Sequence, residues 1–177
     1  MAIGSTVCKA GVNISDMDRH YYEDHELTLA RHPSETDERM MIRLAAFAFD
    51  ADARLVFTRG LCAEDEPELW LKDYEGAVSL WIDLGQVDEK RLRKACGRSE
   101  RVIVYVYQEK PAREWWQRNA GRFRRFSNLE VYFLHAAGIS ELSSRTMRLQ
   151  ATIADGELNL HDESGGSSVT VTREQWQ

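Results

Sequence analysis

A chain of 177 residues has room for one well-packed domain, and 43% hydrophobic with 10% aromatic content excludes a disordered protein. No apolar run nears the ~20 residues of a membrane span, and MAIGSTVCKAGVNISD at the start carries no signal-peptide core. The net charge of −6 speaks against a nucleic-acid partner on composition alone, unless the cations are gathered in one place.

Residues 6 to 14, TVCKAGVNI, alternate loosely and predict a strand ended by the turn-like Ser15-Asp16. EDHELTLARH, 23 to 32, predicts a second strand that pairs with the first as an antiparallel ribbon, and Pro33 ends it. Ser34 is a good N-cap, and Glu35, Asp37 and Glu38 supply the anions a helix N-terminus prefers. Met41, Leu44, Ala45 and Ala48 then recur at helical spacing, so a helix is expected over 35 to about 49. Three short strands follow, RLVFTR (54–59), ELWLK (68–72) and VSLWIDL (78–84), with breakers at Gly60 and from Asp73 through Gly76. A helix is expected from about 87 to 96, stopped by Gly97 as its C′ residue.

RVIVYVYQ, 101 to 108, is the most apolar strand and belongs at the centre of a sheet. Pro111 opens the helix PAREWWQRNAGRFRRF, and LEVYFLH (129–135) is the next strand. Strand–helix–strand twice in succession requires crossovers and parallel pairing. The tail changes in kind: RLQATI and ELNLHD flank an Asp155-Gly156 turn, and SVTVT adds a third strand after GGSS. The expected fold class is α/β (α+β) on a mixed central sheet, with an N-terminal β-ribbon and a C-terminal β-hairpin. No linker divides the chain, so one domain is expected over 1–177, with a core at about 35–135 and a hairpin extension at 145–177.

The cations are indeed gathered. Residues 90 to 125 hold twelve Lys and Arg against Glu100, Glu109 and Glu114, while the acidic excess lies in residues 16 to 75. Arg118, Arg122 and Arg125 form one stripe of the third helix, a candidate phosphate-contacting face, although a simply solvated face has the same pattern. His20, His25 and His32 lack a zinc spacing. Cys8, Cys62 and Cys96 fit structural thiols in a reducing cytoplasm.

The order from 35 to 108, αβββαβ, resembles the core of the PD-(D/E)xK phosphodiesterases, the restriction-endonuclease-like architecture. That resemblance implies carboxylates converging at a sheet fork to hold Mg2+, whose hard, near-octahedral shell keeps water that can act as nucleophile. Pro67-Glu68 opens the second core strand and Asp83 closes the third, as the pattern requires. Alternation along the strands puts Glu68 and Asp83 on one face if the register brings them together. Glu38, from the preceding helix, is a candidate third ligand. The pattern's lysine is missing: Gly85 stands two residues after Asp83. Gln86 could take its part through a bulge at Gly85, or Lys90 or Lys94 from the following helix could supply the charge. The plainer reading is that Asp83 caps or salt-links that helix.

At whole-chain level DMDRHYY (16–22), RHPSETDERMM (31–41), FTRG (57–60), DEPELW (65–70), LWIDLGQVDEKRLRKACGR (80–98), RTMRLQ (145–150) and REQWQ (173–177) resemble the YaeQ family of small bacterial proteins. The resemblance implies a variant nuclease-like fold with acidic residues along the equivalent cleft. An older link to compensation for loss of a transcription elongation factor finds no support in these residues. Two functions are therefore expected in competition: a Mg2+-dependent phosphodiesterase acting on nucleic acid, or a catalytically inactive nucleic-acid- or protein-binding regulator.

Overall fold

A computed structural model describes residues 4–60 and 63–177, which form ten strands and three α-helices in a mixed α+β arrangement. Cys62 lies outside the described residues. The chain divides into two compact units, one running up to Ala51 with Ala136–Thr172, the other Asp52–His135 with Arg173–Gln177.

In the first unit β1 (Thr6–Asp16) and β2 (Tyr21–Arg31) make the expected antiparallel ribbon. The turn falls later than Ser15-Asp16, because His20 takes the left-handed conformation (φ 55°). β8 (Thr146–Ala154) lies parallel to β1, β9 (Glu157–Asp162) antiparallel to β8, and the start of β10 (Ser168–Gln175) antiparallel to β9. The tail hairpin is thus a continuation of the N-terminal ribbon's sheet. α1 (Asp37–Phe49) is buried from Met40 to Phe49. Its N-cap is Thr36, which accepts from the Arg39 N–H at 3.1 Å; Ser34 is not the cap. Ser34 is turned to the His32 ring, 2.6 Å away, and Glu35 lies buried between Arg39 (2.9 Å) and Arg43 (2.8 Å) rather than in a first turn.

The second unit orders its strands β7-β6-β5-β4-β3. β3 (Leu55–Phe57), β4 (Leu69–Lys72) and β5 (Val78–Leu84) form an antiparallel meander. β6 (Ser99–Val106) and β7 (Leu129–His135) then add in parallel, each across a helical crossover, α2 (Glu89–Arg98) and α3 (Glu109–Phe123). The β-branched run of β6 is fully buried from Val102 to Val106, and β6 is an interior strand between β5 and β7, although β5 and not β6 is the middle strand of these five. Trp81, Val102, Val104, Leu129 and Val131 face the apolar sides of α2 and α3 (Leu92, Ala95, Ala112, Trp115, Phe123) in one core. Gly97 is not a C′ residue: α2 runs through it to Arg98, and the next residue is already extended. Pro111 sits within the first turn of α3, where its missing N–H has no carbonyl to bond.

Candidate functional site at the end of β5

β5 carries Trp81 and Asp83 on the face covered by α2, and Asp83 is only 2% exposed. Past Leu84 the chain turns at Gly85, whose φ of +82° is a left-handed value that glycine adopts without strain. Asp88 then caps α2, its carboxylate accepting from the Arg91 N–H at 2.8 Å. Side chains on a helix lean toward its N-terminus, so a first-turn arginine here is directed back at the strand it has just left.

Arg91 uses that direction fully. Its Nε donates to Asp83 Oδ2 (2.9 Å) and its Nη2 to Asp83 Oδ1 (2.8 Å), a two-pronged ion pair. Nη1 also donates to the Glu64 carbonyl (2.8 Å) and Nη2 to the Glu66 carbonyl (2.6 Å), fastening the loop before β4. Trp81 Nε1 adds a third bond to Asp83 Oδ2 at 2.9 Å, and the guanidinium lies 5.9 Å from the Trp81 ring centre. The hydrogen bonds to Asp83 hold Arg91 above the ordinary arginine value, against the effect of burial, and Glu68 pulls the same way.

Glu68 is 6% exposed and reaches this end of the sheet through its backbone: its N–H donates to the Ile82 carbonyl (2.9 Å) and its carbonyl accepts from the Thr58 N–H (3.1 Å). Register therefore brings Glu68 beside the Ile82–Asp83 step, and both charges act on Arg91. Glu38 lies half-buried in the first turn of α1, in the other unit. Magnesium is held through one or two carboxylates whose oxygens are free to enter a near-octahedral shell, with water filling the rest. Asp83 offers none as arranged, since Arg91 and Trp81 engage both its oxygens, and the described residues contain no group of three or more His, Cys, Asp or Glu fit to hold a metal.

The other predicted residues separate into two places. A cleft of about 370 Å³ beside the ion pair is lined by Glu64, Asp65, Asp88, Lys90, Arg91 and Lys94. Lys94 is bonded to Asp65, whose carboxyl it holds below the usual range, with Arg98 and Arg91 adding to the effect. Gln86, exposed beyond the Gly85 turn, lines a different groove of about 610 Å³ with Asn119, Arg118 and Arg122 over the Trp115 ring. Around the first turn of α2, Glu89 serves three arginines at once: Arg93 (3.3 Å), Arg122 (3.5 Å) and Arg125. Arg118 is bonded only to the Glu114 carbonyl at 3.2 Å and has no carboxylate partner among the described residues. His25 bonds the Tyr21 hydroxyl and His32 the Ser34 hydroxyl. Cys96 is half-buried, and burial pushes its thiol up to about 11, the mark of an inert thiol.

Sequence reasoning singled out Asp83 and Glu68 but missed Arg91 between Lys90 and Lys94. The signal was present: with Asp88 as N-cap, Arg91 stands at the third helical position, where a long side chain bends back over the cap.

A family model described as YaeQ protein matches residues 1–171. YaeQ of Escherichia coli strain K12 is 48% identical over the whole of this chain and 98% of its own length, and YaeQ of Salmonella typhi 47% with the same coverage. The crystal structure of YaeQ from Xanthomonas axonopodis pv. citri superposes with a TM-score of 0.92 at 49% identity, covering 98% of each chain. That of YaeQ from Pseudomonas syringae gives 0.90 at 33% identity, covering 98% of this chain and 96% of the other. Sequence and fold agree over essentially every residue, and the chain belongs to the YaeQ family.

Proposed function

We propose that this protein is a non-hydrolytic, polyanion-binding member of its family, taking nucleic-acid phosphates on the arginine-rich face of α2 and α3. The observation that carries this reading is the charge imbalance at Glu89. One carboxylate faces Arg93, Arg122 and Arg125, and Arg118 stands beside them with no carboxylate partner among the described residues, so three guanidinium groups share one anion and a fourth has none. Such a surplus is relieved when phosphates replace the missing anions and release their own counterions. The groove next to it adds amide groups from Gln86 and Asn119, suited to phosphate and sugar oxygens. Its aromatic floor is closed: Trp115, the aromatic side chain among its lining residues, is 5% exposed, which leaves no platform there for stacking unpaired bases. Recognition by backbone charge, without sequence preference, follows.

The competing reading is a Mg2+-dependent phosphodiesterase on the restriction-endonuclease-like element order, with Glu68 and Asp83 as ligands. The α1-β3-β4-β5-α2-β6 order and the parallel placement of β6 are consistent with that architecture. For hydrolysis, however, Asp83 would have to release Arg91, and the pattern's lysine has no replacement at Gly85.

Fluorescence anisotropy with a labelled duplex decides whether the arginine face binds. Between about 50 and 200 mM salt the logarithm of affinity should fall linearly, with a slope of roughly −0.9 for each phosphate neutralised. Joint Arg118→Glu and Arg122→Glu substitution should reduce affinity at least ~10-fold and flatten the slope by about 2. Binding that ignores both substitutions would remove this surface from the account.

A further inference from the structure

We infer that Arg91 is a tethered cation filling a cage of hard oxygen donors. Its removal opens a binding site for a cation of the calcium class. The guanidinium is met by both carboxylate oxygens of Asp83 and by the Glu64 and Glu66 carbonyls, at 2.6 to 2.9 Å. Glu68 adds its charge to the same centre. Every partner is an oxygen, and no nitrogen or sulfur donor is among them. That is the donor chemistry of calcium, which takes six to eight oxygens and accepts backbone carbonyls in an irregular shell. Magnesium, with its strict octahedron and retained waters, suits such a mixed set less well.

The carboxylate side of the cage is held by elements that do not depend on Arg91, whereas the Glu64 and Glu66 carbonyls are held to it by Arg91 and would be gathered by the incoming ion. Asp83 is fixed by its place in β5 and by the Trp81 Nε1–H bond at 2.9 Å. Glu68 is anchored by backbone bonds to Ile82 and Thr58. The site is also reachable: Arg91 keeps 26% of its side chain exposed, on the cleft of about 370 Å³ that Glu64, Asp65 and Asp88 border. With the guanidinium present both Asp83 oxygens are engaged, and a divalent ion would have to displace a covalently attached competitor. This inference is independent of the α2–α3 binding face, since neither Glu89 nor Arg118 nor Arg122 contributes to the cage.

Terbium tests it, because Tb3+ is a calcium-sized hard cation whose emission is sensitised by a neighbouring indole, here Trp81. The wild-type protein should show no saturable sensitised emission, Arg91→Ala should show saturable emission, and Arg91→Ala combined with Asp83→Asn should lose it. A thermal melt keeps the test valid if Arg91→Ala is poorly folded: Ca2+ should raise its midpoint and leave that of the wild type unchanged, and Arg91→Gln should behave likewise. Three results would overturn the inference. They are wild-type emission that Asp83→Asn abolishes, emission from Arg91→Ala that survives the Asp83 substitution, and arginine variants that show neither emission nor stabilisation by Ca2+.

Discussion

The end of β5 shows how one side chain can settle the state of an acid. Asp83 is buried, and removing Arg91 would leave its carboxylate with only the Trp81 N–H, in a place where an unpaired charge is costly. Arg91→Ala should therefore cost about 3 kcal/mol in urea unfolding, toward the lower end for a broken buried pair because Arg91 is partly solvated. The exposed Lys94–Asp65 pair makes the contrast. Both side chains are open to water, so Lys94→Ala should leave the urea midpoint close to that of the unaltered protein. Equal effects from the two substitutions would mean that Arg91 does not hold the site as described. The choice between Lys90, Arg91 and Lys94 was hidden in the sequence because all three lie within one helical turn and a half, and composition treats them alike. Only the exact position of the cap separates them.

At the scale of elements, most of the chain could be read from hydrophobic period and breakers. β5, β6, β7 and the two basic helices follow from their apolar runs, and the parallel crossovers from strand–helix–strand order. The errors fell where a side chain's use is decided by distant partners. Ser34 has the chemistry of a cap, but its hydroxyl is turned to His32 and Glu35 is held by Arg39 and Arg43, so Thr36 is the cap and the helix starts at Asp37. Gly97 was a plausible stop, but α2 continues because the chain passes directly into β6. The parallel pairing of β1 with β8 joins strands more than a hundred residues apart, and nothing local encodes it. Neighbouring strands also set a pH dependence. Across β6 and β7, Arg101 holds Glu130 below its usual range by a direct ion pair (2.5 and 3.0 Å), and Tyr132 donates its hydroxyl to the same carboxylate at 2.6 Å. Burial, followed by that bond, pushes the Tyr132 phenol up from its ordinary 10.0 to about 12. A raised value favours the protonated form in the folded state. The contribution is thus complete below pH 10 and disappears as pH climbs from about 10 to about 12. Urea midpoints should fall through this alkaline window, and Tyr132→Phe should flatten that fall. A midpoint curve identical in the two proteins would contradict the assignment.

For the whole molecule, the net charge of −6 conceals a strongly uneven distribution. Twelve cations between 90 and 125 are placed by α2, the start of β6, α3 and the two residues that follow it, and the acids that could neutralise them are mostly committed one to one. Glu89 is the exception, with three arginines to serve. The same helices bury their apolar sides against β5, β6 and β7, so the core fixes where the charge is presented. No helix among the described residues is long and apolar enough to cross a membrane. Membership in the YaeQ family rests on near-complete agreement in sequence and fold.

One paired measurement tests the central claim: anisotropy and gel analysis of a labelled duplex with the protein, in EDTA and in millimolar Mg2+ or Mn2+. The account predicts salt-sensitive binding that is present in EDTA and only weakened by the divalent ion, as a competing counterion, together with an intact duplex after prolonged incubation. Cleavage that requires the metal and vanishes in Asp83→Asn would contradict it, and would mean that Arg91 gives way to a catalytic cation.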